Sequence, residues 1–486
     1  MSFEPVIGLE IHAHLRTATK IFCGCSTAFG APPNTHVCPV CLGFPGALPV
    51  LNRSAVDLAI RAGLALGCHI NETSIFARKN YFYPDLPKGY QISQYERPLA
   101  SAGALEFLMA DGFKRVRITR DHMEEDAGKS LHEGFSDSDR KSYVDFNRSG
   151  VPLIEIVTEP DLRSAADAAE FFGRLRAILV WLDVNDGNME EGSLRCDANV
   201  SVRPRGSSTL GTKAEVKNLN SFRFLQKALQ YEIERQIEAL DAGGRVRQET
   251  RLWDASAGIT VSMRSKEEAH DYRYFPEPDL PPLTVEHARI AALRADLPEL
   301  PDARRRRFVE QLGLPEYDGA QLTQSRALAD YFEAAVRAGA TPKTVSNWMM
   351  GELTRALKDA GQDISASPVP AERLAGLLSL IEKGTISGAI AKGVFEKMFT
   401  SGRTADQIVI ADGLTQIDDE SHIQELIGTV MHANADAVKG YRSGKTSTFG
   451  FLVGQVMKAA GGKANPKRVN EALKRALDAL ETENAK

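Results

Sequence analysis

Residues 6–15 read VIGLEIHAHL. Odd positions carry Ile7, Leu9, Ile11, Ala13 and Leu15, while Glu10, His12 and His14 occupy even ones. Alternation with period two predicts a strand with one face in a core. The other face then lines up a carboxylate and two imidazoles. A strand bounded by apolar neighbours does not give a face to Glu-x-His-x-His without a use for it.

The chain has 486 residues, 43% hydrophobic and 25% charged, enough for roughly two to four domains around a sizeable core. With a formal net charge of −5, the protein as a whole does not advertise nucleic-acid binding, although a local basic patch could supply it. The start, MSFEPVIGLE, has no basic n-region and contains Glu4 and Glu10, so it does not read as a signal peptide. AILVWL (177–182) suits a buried helix, and no apolar run reaches membrane-spanning length. The expectation is a cytoplasmic protein with no membrane contact.

Six cysteines in so long a chain make no disulfide framework. Cys23-x-Cys25, twelve residues, then Cys38-x-x-Cys41 gives four thiolates in two close pairs beside Gly24, Pro39 and Gly43. That set fills the tetrahedral shell of a structural Zn²⁺. Cys68 and Cys196 fall outside it and read as core.

Up to about residue 290 short alternating strands, such as RVRITR (115–120) and LRCDANVSVR (194–203), mix with helical patterns. NRSAVDLAIRAGLALG (52–67) and SAADAAEFFGRLRAILVWL (164–182) are helical, the second capped by Ser164. SFRFLQKALQYEIERQIEALDAGG (221–244) stops on a Gly pair. Strand and helix do not alternate regularly, which predicts an α+β fold with an antiparallel or mixed sheet. The proline-rich EPDLPPLTVE (277–286) reads as a domain exit. Beyond it come helical segments: 295–314, 370–384, 420–440 and NPKRVNEALKRALDAL (465–480), with Asn465 as cap and Pro466 at the first helical position.

Acidic residues cluster near strand ends. DHMEEDAGK (121–129) holds Asp121, Glu124, Glu125 and Asp126; NMEEGSLRCDAN (188–199) adds Glu190, Glu191 and Asp197; TKAEVKNLN (212–220) adds Glu215. With Lys79, Arg195 and Lys217 as candidates for phosphate contacts, these acids suit Mg²⁺–nucleotide chemistry. GYRSGKT (440–446) is one residue short of a phosphate-binding loop and follows a helical pattern, so it is set aside. From Lys439 to Arg475 there are nine basic residues (439, 442, 445, 458, 463, 467, 468, 474, 475) against one acid, Glu471, with Tyr441, Phe449 and Phe451 interleaved. That composition fits an RNA contact confined to a C-terminal module.

Together these segments resemble one family, the B subunits (GatB) of the glutamyl-tRNA(Gln)/aspartyl-tRNA(Asn) amidotransferases. VIGLEIHAHL, the Cys quartet, RKNYFYPDLPKGYQISQ (78–94), RDHMEEDAGK, DFNRSGVPLIEIVTEPDL (145–162), GSLRCDANVSVR, EVKNLNSF (215–222), DYRYFPEPDLPPL (271–283) and GFLVGQVMKAAGGKANPK (450–467) carry the resemblance in order along nearly the whole chain. It implies a glutamine-synthetase-like cradle over 1–292, a helical domain over 293–408 and a small YqeY-like tRNA-binding tail over 409–486. It also implies ATP-dependent phosphorylation of the side-chain carboxylate of Glu-tRNA(Gln) or Asp-tRNA(Asn), followed by attack of ammonia. Glu10 and His12 resemble the family's magnesium-site residues, with Glu125 and Glu215 completing the shell. No glutaminase signature is visible, so the resemblance implies a heterotrimer with an amidase partner and a small third partner.

Two other functions compete. A stand-alone ATP-dependent carboxylate–amine ligase acting on a free small molecule leaves the basic tail without a purpose. A non-catalytic RNA scaffold leaves the crowded acids without a cation.

Overall fold

The computed structural model describes residues 2–109, 112–131, 137–138, 140–265, 269–414, 420–461, 464 and 466–483. The chain divides into two compact units, Met1–Leu300 and Pro301–Lys486.

In chain order, the strands that shape the first unit are β1 (Phe3–His14), β2 (His69–Ile70), β3 (Phe76–Asn80), β4 (Tyr90–Gln94), β5 (Ala100–Met109), β6 (Gly112–Glu125), β7 (Pro152–Thr158), β8 (Leu194–Pro204), β9 (Ala214–Lys217), β10 (Glu249–Asp254), β11 (Ile259–Ser265) and β12 (Phe275–Pro276). Nine form one sheet in the order β11-β10-β9-β8-β1-β7-β6-β5-β2, and a second sheet runs β12-β3-β4. Neighbours in the large sheet are antiparallel except for the parallel pair β9–β10. The expected mixed-sheet α+β class is what the first unit contains.

Helices α1 (Arg53–Ala65), α2 (Ala165–Trp181) and α3 (Phe222–Asp241) supply the apolar partners of this sheet. Ile7, Leu9, Ile11 and Ala13 of β1 are at most 1% exposed and share a core with Ile60 of α1, Phe171, Phe172 and Leu175 of α2, and Leu225 and Leu229 of α3. Burying each large side chain contributes roughly 1.5–3 kcal/mol. Asn52, Ser164 and Ser221 cap the three helices by accepting from backbone N–H groups two or three residues on. Past α3, Gly243 sits at φ +75°, the left-handed stop predicted for the Gly pair.

Alternation changes phase inside β6. Val116 and Ile118 face the core, and so does Met123. The pairing of β6 with β7 slips between Val157 and Thr158, leaving Thr119 as an extra residue, and Ala102 on the adjoining strand β5 has φ +56°. Such a bulge re-aims every side chain beyond it. Here it turns Arg120, His122 and Glu124 to the polar face and sends Asp121 inward.

The proline-rich stretch is not the exit from the first unit. Leu283 and Thr284 pair with Ser74 and Thr73, and the helix His287–Ala295 then reaches α1, where Arg289 Nε donates to Asp57 Oδ1 at 2.7 Å. Pairing begins as soon as the two prolines, which cannot donate, are past.

Every described element from Pro301 onward is a helix. The pattern over 420–440 is two helices, Glu420–Ala433 and Ala435–Arg442, separated at Asn434. Residues between Ile423 and Leu477 assemble their own core, with Leu452, Val456, Val469 and Leu473 fully buried. The last helix starts at Pro466 as expected, while Asn465 lies outside the described residues.

Asp121 is fully buried against the core of the first unit, with no hydrogen-bond partner among the described residues for either carboxylate oxygen. Burial raises its pKa to about 8 from 3.8. The folded state therefore holds this proton more tightly than the unfolded state, and stability falls as pH rises from about 4 through about 8. D121N removes the ionisation. Its stability relative to the parent should grow by roughly 2–5 kcal/mol across that window, measured by denaturant melts at several pH values. Parallel profiles would contradict this assignment.

Candidate active site

The polar face of β1 is built by register. His12 lies opposite Arg195 of β8 on one side and Glu155 of β7 on the other, and Glu155 lies opposite His122 of β6. One cross-strand row thus reads Arg195–His12–Glu155–His122. His12 Nε2 is 3.4 Å and His122 Nε2 is 3.6 Å from Glu155 Oε2. Glu124, two residues along β6, brings its Oε2 within 3.8 Å of both His122 Nε2 and Lys79 Nζ. One ligand atom each from His12, Glu124 and Glu155 lie within 4.8 Å of one another.

Burial should neutralise such groups, and the charges present prevent it. Burial disfavours the charged form of Glu155, but His122 and His12 hold its pKa well below the carboxylate range. Glu124 is lowered against its burial by Lys79 and His122. The same pairing works in reverse: burial opposes charge on His12 and Lys79, yet Glu155 raises the first, and Glu124 with Glu155 raises the second well above its usual value. Despite these neighbours, Glu124 Oε2 is buried with no hydrogen-bond partner among the described residues. A buried carboxylate oxygen left unsatisfied is costly, and a divalent cation shared with His12 and Glu155 would satisfy it.

Beside this row, Asp126 Oδ2 accepts from His14 Nε2 at 2.6 Å and from an Arg195 NH2 group at 2.9 Å, with Arg148 Nε at 3.5 Å. Burial opposes the Asp126 charge, but Arg195 and Arg148 hold its pKa well below the ordinary value. Arg195 Nε is buried and unpartnered among the described residues. His14, Arg16, Arg148 and Arg195 line a cavity of about 790 Å³.

The other expected residues are placed differently. Glu10 shares the face but sits one row away, where its Oε1 accepts from Asn199 Nδ2 at 2.8 Å. Glu215 Oε2 accepts from Thr250 Oγ1 at 2.8 Å, and Lys217 reaches both Asp197 at 2.6 Å and Glu215 at 3.4 Å. Burial opposes charge on Lys217, but these two acids raise its pKa. Glu125 points away from the cluster. Its Oε1 accepts from the Ile92 N–H at 2.8 Å and from Lys88, and it lines a different pocket of about 340 Å³ with Cys23, Cys41 and Lys20. The structure therefore brings His12, Lys79 and Arg195 to one place and adds Glu124, Glu155, His122 and Asp126. Glu155 had a legible signal: a lone acid inside the apolar run PLIEIV.

Ligand sulfurs of Cys23, Cys25, Cys38 and Cys41 lie within 4.8 Å of one another. The hydrogen bond from Cys23 lowers the Cys41 thiol to about 4, helped by the Cys38 backbone and the charge of Lys20. Lys20 is fully buried and donates to the backbone oxygens of His36 and Phe146 as well as to Cys41 Sγ. Two loops that bring four sulfurs together beside a buried cation suit a tetrahedral ion such as zinc. Cys68 and Cys196 are core residues, as expected.

Residues 5–291 match the family model of the GatB/GatE catalytic domain, and residues 330–477 match that of the GatB domain. The chain is 59% identical over 478 residues to the B subunit of the aspartyl/glutamyl-tRNA(Asn/Gln) amidotransferase of Moorella thermoacetica, covering 98% of this chain and 100% of that one. It is 57% identical over 477 residues to the corresponding protein of Geobacter sulfurreducens, with the same coverage. With that of Carboxydothermus hydrogenoformans it shares 56% over 478 residues, 98% of this chain and 99% of the other.

Proposed function

The chain belongs to the GatB/GatE family of amidotransferase B subunits, and from that premise we propose that the row through His12, Glu124 and Glu155 is where the side-chain carboxylate of a misacylated tRNA is activated. The substrates are Glu-tRNA(Gln), Asp-tRNA(Asn) or both, with ATP. A carboxylate oxygen of the esterified Glu or Asp attacks the γ-phosphorus, and ADP leaves. Ammonia then attacks the acyl carbon, phosphate leaves, and the nitrogen loses a proton to give the amide. A carboxylate is a poor electrophile, and phosphorylation makes it a good one.

The observation that carries this reading is the unpartnered Glu124 Oε2, buried among His12, Glu155 and Lys79. Glu124, Glu155 and His12, once the His12 ring has given up the proton it shares with Glu155, would hold Mg²⁺, which when bound would neutralise charge on the transferring phosphoryl oxygens. Imidazole is an uncommon magnesium ligand, so the two carboxylates are the principal donors. Lys79 stays charged between its two acids and orients the reacting carboxylate and phosphoryl groups. Arg195 and Arg148 face the large cavity and hold the polyphosphate there. Lys217, already paired with Asp197 and Glu215, fixes the Glu10–Glu215 side of the sheet.

Ammonia comes from a separate amidase chain, and a small third chain completes a heterotrimer. The tail, 409–486, contacts tRNA through Lys439, Arg442, Lys445, Lys458, Arg468, Lys474 and Arg475; Lys463 and the Lys467 side chain lie outside the described residues. The four cysteines hold structural zinc. No helix among the described residues is long and apolar enough to cross a membrane, in keeping with a cytoplasmic enzyme of translation.

In the complete complex, E124Q should lower ammonium-dependent formation of Gln-tRNA(Gln) by ~10²-fold or more, the scale for losing a charge-stabilising group, while tRNA binding is unchanged. E125Q should lower it far less. The reverse ranking would move the site to the cysteine side of β6. Metal analysis should find one zinc per chain, absent from C38A, which melts at a lower temperature. A zinc-free parent of unchanged stability would remove the structural role.

A further inference from the structure

Beside Lys79, tyrosines gather in a manner that phosphoryl transfer does not require. Tyr272 meets Tyr81 and Tyr274 edge-on, each at 6.0 Å between ring centres. Tyr274 stacks parallel to Tyr95 at 4.3 Å, with 7° between the rings. Lys79 Nζ lies 5.3 Å from the centre of the Tyr272 ring and 3.8 Å from Glu124 Oε2, so the aromatic group adjoins the acidic cluster directly. Tyr81, Tyr272 and Tyr274 are only partly buried and Tyr95 is 39% exposed. They are a wall, not a core.

The wall is held rigidly. Arg273, between two of its tyrosines, has φ +46°, a strained conformation for a side chain of that size. Asn80 of β3 secures it, its Nδ2 donating to the carbonyls of Tyr272 at 3.2 Å and Arg273 at 2.9 Å. Two residues on, Phe275 pairs with Arg78, whose guanidinium grips Glu277 at 2.7 and 2.8 Å. Strain maintained by its surroundings at a site edge is characteristic of a binding surface fixed in advance.

Partly exposed aromatic rings, pre-oriented beside a site for a tRNA-borne substrate, suit a nucleic-acid base. The amino acid is esterified to the terminal adenosine of tRNA, so that adenosine must lie within one aminoacyl length of the cluster. The triphosphate of ATP is assigned above to the cavity that Arg16, Lys129, Arg148 and Arg195 line together with Asp145, Asp186, Glu190 and Glu191, and none of these tyrosines lines it. We propose that Tyr81, Tyr95, Tyr272 and Tyr274 form the stacking platform for the 3′-terminal adenine of the aminoacyl-tRNA. This rests on the function proposed above.

The test uses the complete complex and tRNA(Gln) carrying 2-aminopurine as its terminal base. Binding to the parent complex should quench the probe, and Y272A and Y274A should restore emission. In turnover with ammonium, Y274A should raise KM for Glu-tRNA(Gln) about tenfold, the scale of one lost base stack, and leave KM for ATP unchanged. Y274F should restore the parent KM, because stacking needs the ring and not the hydroxyl. An unquenched probe on the parent complex, which requires no variant to fold, would overturn the proposal. So would a change in KM for ATP alone. A parent complex that quenches the probe but makes neither Gln from Glu-tRNA(Gln) nor Asn from Asp-tRNA(Asn) would refute the activity and support the platform.

Discussion

A single strand with two incompatible faces organises the first unit. β1 places Ile7, Leu9, Ile11 and Ala13 in the core, and the same alternation forces Glu10, His12 and His14 to the other side. Register is thereby locked, because a slip of one residue would bury the ionisable row and expose the apolar one. Truncating a buried isoleucine such as Ile11 costs about 2–5 kcal/mol, a large fraction of ordinary protein stability. The placement of the candidate site follows from the same constraint, since its β1 residues alternate with those of the core.

Charge follows from that placement. Glu124 and Glu155 are almost wholly buried, so each needs cationic neighbours to remain ionised. Lys79, His12, His122 and Arg195 arrive from β3, β1, β6 and β8. Favourable pairings outweigh desolvation for both acids, while Asp121, three residues before Glu124 and aimed inward, has no such partners among the described residues and takes up a proton instead. Neighbouring residues of one strand thus hold opposite protonation states because they face opposite ways.

Much of this was legible in the sequence. Alternation in VIGLEIHAHL located the strand and its polar face, two close Cys pairs located the sulfur cluster, and capping residues located helix ends. Glu124 was not legible. Strict alternation extended from Val116 and Ile118 directs Glu125, not Glu124, to the polar face, and the bulge at Thr119 reverses the two. Nothing local in RITRDHMEE announces that bulge; it comes from pairing with β7, a strand more than thirty residues away. The continuation of the first unit through the proline-rich stretch was hidden for a similar reason, since the two-residue pairing of Leu283–Thr284 with Thr73–Ser74 is non-local.

His12, Glu124 and Glu155 are proposed to share a divalent ion, and the activation chemistry rests on that ion. Manganese can replace magnesium and is paramagnetic, so electron spin-echo spectroscopy of the Mn²⁺-loaded complex reads the ligands of that ion. Modulation from a directly bound imidazole nitrogen is expected, abolished by H12Q, together with weakened Mn²⁺ binding in E155Q. Tight Mn²⁺ binding without nitrogen modulation, unchanged by either substitution, would contradict it.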